Sequence, residues 1–421
     1  MSKVLIIGGG PAGMMAGIQA AKKGNEVILL EKNEKLGKKL FITGKGRCNI
    51  TNACATEDLF QQMVSNEKFL YSAFYGFTNF DVIDFFEQAG LKTKIERGNR
   101  VFPLSDKSSD VIYTLQRELM KYKVEIRLNS KVTDVIMENG KWSALILNGR
   151  EKIKADKLII ATGGLSYPIT GSTGDGFTFA KKMGHTITRL SPSLVPFNIK
   201  ESYVKDLQGL SLKNIEAGIY ADGKEIYREF GEMIFTHFGV SGPVILTGSC
   251  YAAPYLGKKK LEVILDLKPA LSKEQLDARI LREFDEFINK QYKNSLDRVL
   301  PRKLISVIIT LSEIDPEKQV NLITKEERQH LVSVIKGMHL TVDSFREYKE
   351  AIITQGGISI KEINPSTMES KRMPNVYFVG EALDLDGVTG GFNLQIAWST
   401  GYAAGNAMEV IKNKGDSENG L

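Results

Sequence analysis

The chain has 421 residues, 42% hydrophobic and 25% charged, with a net charge of +6 and three cysteines. That composition suits a folded protein of more than one domain and excludes a disordered or collagen-like chain. No apolar run reaches the length of a membrane span, the spacing of Cys48, Cys54 and Cys250 gives neither a disulfide framework nor a CxxC pair, and the expected location is cytoplasmic.

The first element is an apolar strand, Val4 to Ile7, that runs into Gly8-x-Gly10-x-x-Gly13. Glycines there allow a sharp turn and close approach to a pyrophosphate, which the amides at the start of the next helix can hold. Pro11 and Ala12 fit the first helical turn, Gly24 ends the helix, and Glu26 to Leu30 forms a second strand that stops at Glu31. A carboxylate at that point can accept from a ribose diol and repels a 2′-phosphate, so FAD or NAD fits better than NADP.

Next comes Gly37 to Asn52, glycine-rich and basic: Lys35, Lys38, Lys39, Lys45 and Arg47 follow one another without an acid. Residues 1 to 190 hold 28 Lys/Arg against 19 Asp/Glu, while residues 191 to 351 balance at 23 each. The basic loop is read either as a solvated surface, as a partner for cofactor phosphates, or as a contact for a polyanion such as RNA.

Helical segments are expected around Thr56 to Gly90, then short strands at Val124 to Leu128, Val132 to Met137, Trp142 to Leu147 and Lys152 to Ala155, with turns at Asn139-Gly140 and Asn148-Gly149. The strand Lys157 to Ile160 ends in Ala161-Thr162-Gly163-Gly164. From Ser191 the texture becomes that of an antiparallel sheet or barrel to about Leu267, and Ser272 to Tyr292, Leu296 to Ile309 and Lys325 to Ile335 read as helices. A buried-type strand at Asn375 to Gly380 and a small-residue helix after Gly390-Gly391-Phe392-Asn393 then restore the character of the first domain. The tail after Lys412 is expected to be disordered.

The fold class expected is therefore α/β: a Rossmann-like domain with a central parallel sheet and a β-meander, interrupted by a barrel-like β domain and a small helical domain. The expected boundaries are 1–190 and 352–421 for the nucleotide domain, 191–268 for the barrel, 269–335 for the helices and 336–351 for a return segment. Glu381, Asp384 and Asp386 follow a strand end, where carboxylates can hold the hydroxyls of a ribityl chain. The helix opened by Gly390 and Gly391 can stabilise negative charge on a reduced flavin ring.

GGGPAG, Glu31, the ATGG after a strand and the late VGE with Asp386 and GGFN together resemble the glutathione-reductase-like FAD fold. TGKGRCNITN, FTHFGVSGP and VGEALDLDGVTGGFNLQIAWSTG resemble the BaiN/RdsA family of flavoproteins over nearly the whole chain, and Thr173-Gly174-Asp175-Gly176 resembles the fumarate reductase and aspartate oxidase group. The resemblance implies FAD, with Gly8, Gly10 and Gly13 on the pyrophosphate, Glu31 and Lys32 on the adenosine side, Val132 at the adenine by its backbone, and Ala161, Thr162 and Gly163 lining the nucleotide. It further implies Lys39, Gly380, Glu381, Asp386, Gly390, Gly391, Phe392 and Asn393 around the ribityl chain and isoalloxazine, with Gly44, Gly46, Arg47, Cys48 and Asn49 approaching the ring. Lys45 stands where the family often has glycine.

The resemblance allows several reactions: reduction of a uridine to dihydrouridine in large-subunit ribosomal RNA, bile-acid reduction or aminoacetone oxidation. NAD(P)H would serve as a transient co-substrate, since one nucleotide fold leaves no dedicated NAD domain. Uridine reduction delivers hydride to C6 and needs a proton at C5. Cys48 is one candidate donor, its pKa expected to be lowered by Lys45 and Arg47, and His237 is another; the competing reading of each is structural, Cys48 as a small packing residue and His237 as a lone histidine of the insert. A small-molecule reductase or oxidase, and a flavoprotein that senses or merely holds its cofactor, stand as the alternatives. No metal, no membrane and no obligate protein partner are expected.

Overall fold

Four apolar residues in a row, Val4 to Ile7, make a strand that can be covered on both faces, and Val4, Leu5 and Ile6 are fully buried. The computed structural model describes residues 1–409, so the tail after Lys412 lies outside the described residues. Strand β1 (Lys3–Ile7) turns into helix α1 (Pro11–Lys22), which returns to β2 (Glu26–Leu30). Strands β3 (Glu125–Arg127), β4 (Lys157–Ile160) and β5 (Val376–Phe378) complete a five-stranded parallel sheet in the order β5-β4-β1-β2-β3. The register sets Val4 opposite both Val27 and Lys157, and Leu158 opposite Val376.

Helix α1 is apolar all round, as suits a helix enclosed on every side. Ala12 to Ala20 are buried, and α2 (Phe392–Asn406) packs against them. Small residues let the two backbones meet: a side chain at Gly401 would stand 2.4 Å from the Ala12 carbonyl oxygen. A three-stranded meander, Val132–Glu138, Lys141–Leu147 and Glu151–Ile153, lies between β3 and β4 in the chain, its turns formed by the two Asn-Gly pairs in left-handed backbone.

The chain forms two units, Met1–Pro192 with the chain from Ala351 onward, and Ser193–Glu350. The second unit holds a closed six-stranded antiparallel barrel of Phe197–Ile199, Gly239–Ser241, Lys224–Phe235, Ser211–Ala221, Leu261–Asp266 and Met338–Phe345. Met338–Phe345, read from the sequence only as a return segment, is the strand that closes the barrel, pairing with Leu261–Asp266 on one side and Phe197–Ile199 on the other. Its alternation of buried and exposed residues, Met338, Leu340 and Val342 inward, is the half-buried pattern of a barrel strand. Helices Lys273–Glu286, Arg302–Ser312 and Lys325–Lys336 accompany the barrel. The second begins after Pro301, not at Leu296, because proline removes an amide donor and cannot sit inside the helix. Among the described residues no helix is long and apolar enough to cross a membrane.

Candidate active site

The carboxyl ends of β1, β2, β4 and β5 converge on one edge of the sheet, the place where parallel α/β sheets bind ligands. At the end of β1, Gly8 and Gly13 allow contacts that no side chain would permit. A Cβ on Gly13 would lie 2.0 Å from the Gly8 carbonyl oxygen, and one on Gly8 would lie 2.5 Å from that of Ala161. Gly10 is the opposite case: it faces open space and caps α1 with no side chain over the helix start. Pro11 and Ala12 begin the helix, and its first turn carries no acidic residue, so its free amides can hold an anion.

Glu31 is buried at the end of β2. Its Oε2 accepts from the Gly9 amide at 2.8 Å, and its Oε1 from the Asn33 amide at 2.8 Å and side chain at 2.7 Å. Asn33 reaches on to the Thr170 carbonyl, and the Ser130 amide donates to the Glu31 carbonyl, which brings the segment before Val132 beside Glu31. Lys32 does not stand free: its ammonium bonds Asp175 at 2.7 Å and the Thr173 hydroxyl at 2.6 Å. After β4, Ala161 is buried and Gly163 has a positive φ, while the hydroxyls of Thr162 and Ser172 and the side-chain carbonyl of Asn49 are buried without a protein partner. Buried polar atoms require partners. The open helix start, the carboxylate at the strand end and these three orphaned atoms together fit a dinucleotide, and FAD fits better than NADP because the Glu31 carboxylate repels a 2′-phosphate.

Glu381 and Asp386, the carboxylates after β5 expected at the ribityl chain, have protein partners. Glu381 accepts from Lys39 at 2.6 Å, from the Ser166 hydroxyl at 2.8 Å and from the Thr354 amide at 2.9 Å. Asp386 is fully buried and accepts from Ser65 and, at 2.9 Å, from the Gln355 amide group. Burial raises the pKa values of Asp384 and Asp386 above the usual carboxylate range. Asn393 clamps the turn ahead of α2, bonding the amide and the carbonyl of Gly387. Gly391, φ +100°, caps α2 with its α-carbon against the Thr51 backbone, and Phe392 is buried at the helix start. Gly380 and Gly390 likewise have positive φ.

The loop from Gly37 to Asn52 is less basic in space than in sequence. Lys38 pairs with Glu34, Lys39 with Glu381, and Arg47 lies between Glu96 and Asp106, with its guanidinium 4.2 Å above the Phe102 ring. Gly44 and Lys45 are exposed in left-handed backbone, and Gly46 is half-buried. The expected lowering of the Cys48 pKa is wrong. Cys48 is fully buried and burial drives its pKa up to about 12, against a smaller opposing pull from Thr43; Arg47, its cationic neighbour in sequence, is turned to its own carboxylates. Cys48 is a protonated thiol, not an activated thiolate.

In the barrel unit, His237 lies exposed on the turn between two strands, edge-on to Phe238. Sequence reasoning missed Asn33, Ser166, Ser172 and Thr354. Only Asn33, two residues past the strand-end Glu31, carried a signal, since Asn and Asp bond to backbone near their own position. Among the described residues no cluster of His, Cys, Asp and Glu could hold a metal ion.

Residues 2–407 match the HI0933-like protein Rossmann domain family. The chain belongs to this family. Three relatives are aligned over almost their full length. The 3-dehydro-bile acid delta(4,6)-reductase of Clostridium scindens is 31% identical over 97% of this chain and 99% of its own. The ribosomal RNA dihydrouridine synthases of Escherichia coli and Haemophilus influenzae are 31% and 32% identical, over 97% and 96% of this chain and 98% and 97% of theirs. Among solved structures, the 3-ketosteroid delta1-dehydrogenase of Sterolibacterium denitrificans shares the fold with a TM-score of 0.53 at 12% identity, covering 97% of this chain and all of that one. The HI0933-like chain is thus an FAD-dependent oxidoreductase on a Rossmann-type fold carrying an antiparallel barrel.

Proposed function

We propose that this protein reduces a uridine of large-subunit ribosomal RNA to dihydrouridine, with NAD(P)H as the source of electrons. The observation that carries this reading is the full-length likeness to two ribosomal RNA dihydrouridine synthases from different bacteria. Bound FAD would supply hydride chemistry, with NAD(P)H as the source of electrons and C6 of the pyrimidine as the acceptor.

The chain's own residues hold and orient. Gly8, Gly10 and Gly13 bring the backbone against the pyrophosphate, and the amides of α1 stabilise its charge. Glu31 accepts from the ribose diol with the oxygen lone pairs left over from Gly9 and Asn33. Thr162, Ser172 and Asn49, whose buried polar atoms have no protein partner, would help to hold the nucleotide. The amides of Gly391 and Phe392, uncapped by any side chain, favour negative charge beside the isoalloxazine. The proton for C5 is assigned to the Cys48 thiol, which burial keeps protonated; because the thiol is fully buried, its delivery requires the loop Gly37 to Asn52 to expose it. Cys48→Ala should then slow product formation while leaving flavin reduction unchanged, and equal turnover would make Cys48 a packing residue.

Rapid mixing of the FAD-loaded protein with NADH or NADPH, followed by ribosomal RNA, tests the reading. Bleaching by one of the two and recovery of oxidised flavin on addition of RNA under anaerobic conditions are the expected results. The full-length likeness to the bile-acid reductase supports a second reading, in which the acceptor is a small unsaturated ketone. Recovery with such an enone and none with RNA would favour it.

A further inference from the structure

The sequence concentrates its positive charge between Lys35 and Arg47, yet Lys38, Lys39 and Arg47 are each held by carboxylates. A different segment carries cations with no ion pair among the described residues. The hairpin of Thr93–Glu96 and Arg100–Pro103 exposes Arg97 and Arg100 at its tip, with Lys92 before it and Lys107 after it. Glu96 and Asp106, the acids of this stretch, are both bonded to Arg47 and Lys94, so they do not neutralise the tip.

The hairpin is joined to the candidate active site. Its second strand pairs with Thr51–Asn52, the end of the cofactor loop, in the register Thr51 opposite Val101 and Asn52 opposite Arg100. The Asn52 side chain bonds the Gly98 carbonyl at the hairpin tip, at 3.0 Å, and the Gly390 carbonyl before α2, at 3.1 Å. Arg47 braces the first strand by bonding Glu96, the residue just before the tip. Arg100 lies on the face of its strand that also carries Phe102, whose ring contacts Arg47 and lies against Gly44. The Arg100 Nε donates to the Arg97 backbone carbonyl at 3.0 Å, which ties the Arg100 guanidinium to the backbone of the tip. Each guanidinium presents a planar set of N–H donors that matches phosphate oxygens.

We propose that the Arg97–Arg100 hairpin binds the phosphate backbone of the RNA substrate and so delivers the target base to the cofactor loop. The proposal rests on the reading that RNA is the substrate and adds to it the surface that grips the strand. Polyanion complementarity selects the occupant: the tip is strongly basic, exposed and unpaired, and its backbone is tied to the strand that carries the GRCNITN motif.

The test measures binding of a single-stranded RNA oligonucleotide to the FAD-loaded protein across a salt series, for the native chain, Arg97→Glu/Arg100→Glu and a control, Lys23→Glu/Lys154→Glu, that removes two other exposed cations of the same unit. FAD absorbance reports that each variant is folded. The hairpin variant should bind at least about tenfold more weakly, with the slope of log K against log salt shallower by roughly 1.4, the value for two lost phosphate contacts on a single strand. The control should stay within about twofold, since distant charges are screened. Equal loss in both variants, or an unchanged slope in the hairpin variant, overturns the hairpin while leaving the RNA reading intact. A rise in the NADPH concentration needed to bleach the flavin, with RNA affinity unchanged, assigns the arginines to a mononucleotide phosphate and also overturns it. Absence of RNA binding by the native protein overturns the hairpin and the RNA reading together.

Discussion

The nucleotide cradle and the basic loop lie side by side at the end of the same sheet, and they use opposite means. The cradle, Gly8 to Gly13 with Glu31, is almost without charge and works through backbone brought close by missing side chains. The loop, Gly37 to Asn52, is rich in charge, and most of that charge is engaged with carboxylates that fasten it to the protein. Basic residues in a sequence therefore mark a ligand surface only after their partners in space are known.

The largest effect should come from breaking the cradle. Gly13→Val puts branched carbon against the Gly8 carbonyl, costing about 3 kcal/mol through overpacking that the backbone cannot relieve. The purified variant should carry no FAD by absorbance; a yellow protein of native melting temperature would show that the turn is not the pyrophosphate site. A milder change, Glu31→Gln, keeps the shape but removes the charge, and titration with FAD should show roughly tenfold weaker binding, about 1.4 kcal/mol. Unchanged affinity would mean that Glu31 serves only Gly9 and Asn33.

In the loop the consequences should be mechanical. Arg47→Ala frees Glu96 and Asp106 and unfastens the segment from the hairpin, so exchange of the Arg47 and Cys48 amides, bonded to Gly44 and Thr43, should quicken while the amides of β1 stay protected. Lys38→Ala, on an exposed pair with Glu34, should leave the melting temperature unchanged. A fall comparable with that of Arg47→Ala would erase the distinction between the loop's fastening charges and its surface charges.

What the sequence made legible follows the same division. Strands β1 and β2, the turn between them and Glu31 were readable because each obeys a local rule: an apolar run, a glycine spacing, a carboxylate at a strand end. The late helix α2 was readable for the same reason, though it starts at Phe392, two residues before the expected Leu394, because Gly391 is its cap. The partners of Lys39, Arg47 and Asp386 were not readable, since Glu381, Glu96, Asp106 and Gln355 are brought near only by tertiary folding. The Cys48 pKa failed on the same ground: sequence neighbours suggested a lowering, and burial produced a rise to about 12.

Away from both regions, His185 gives a pH signature. It is buried, bonded to Glu362 at 3.1 Å and Ser370 at 2.8 Å, and burial lowers its pKa below that of the unfolded chain. Its contribution is complete above the unfolded pKa and is lost as pH falls through the folded value, so stability should decline on acidification, and His185→Gln should flatten that decline.

The most direct test of the central claim is nucleoside mass spectrometry of ribosomal RNA from cells that lack this gene. Dihydrouridine in large-subunit RNA should disappear on deletion and return with the native gene, but not with Gly13→Val. Dihydrouridine that persists unchanged in the deletion strain would contradict the assignment of ribosomal RNA as the substrate.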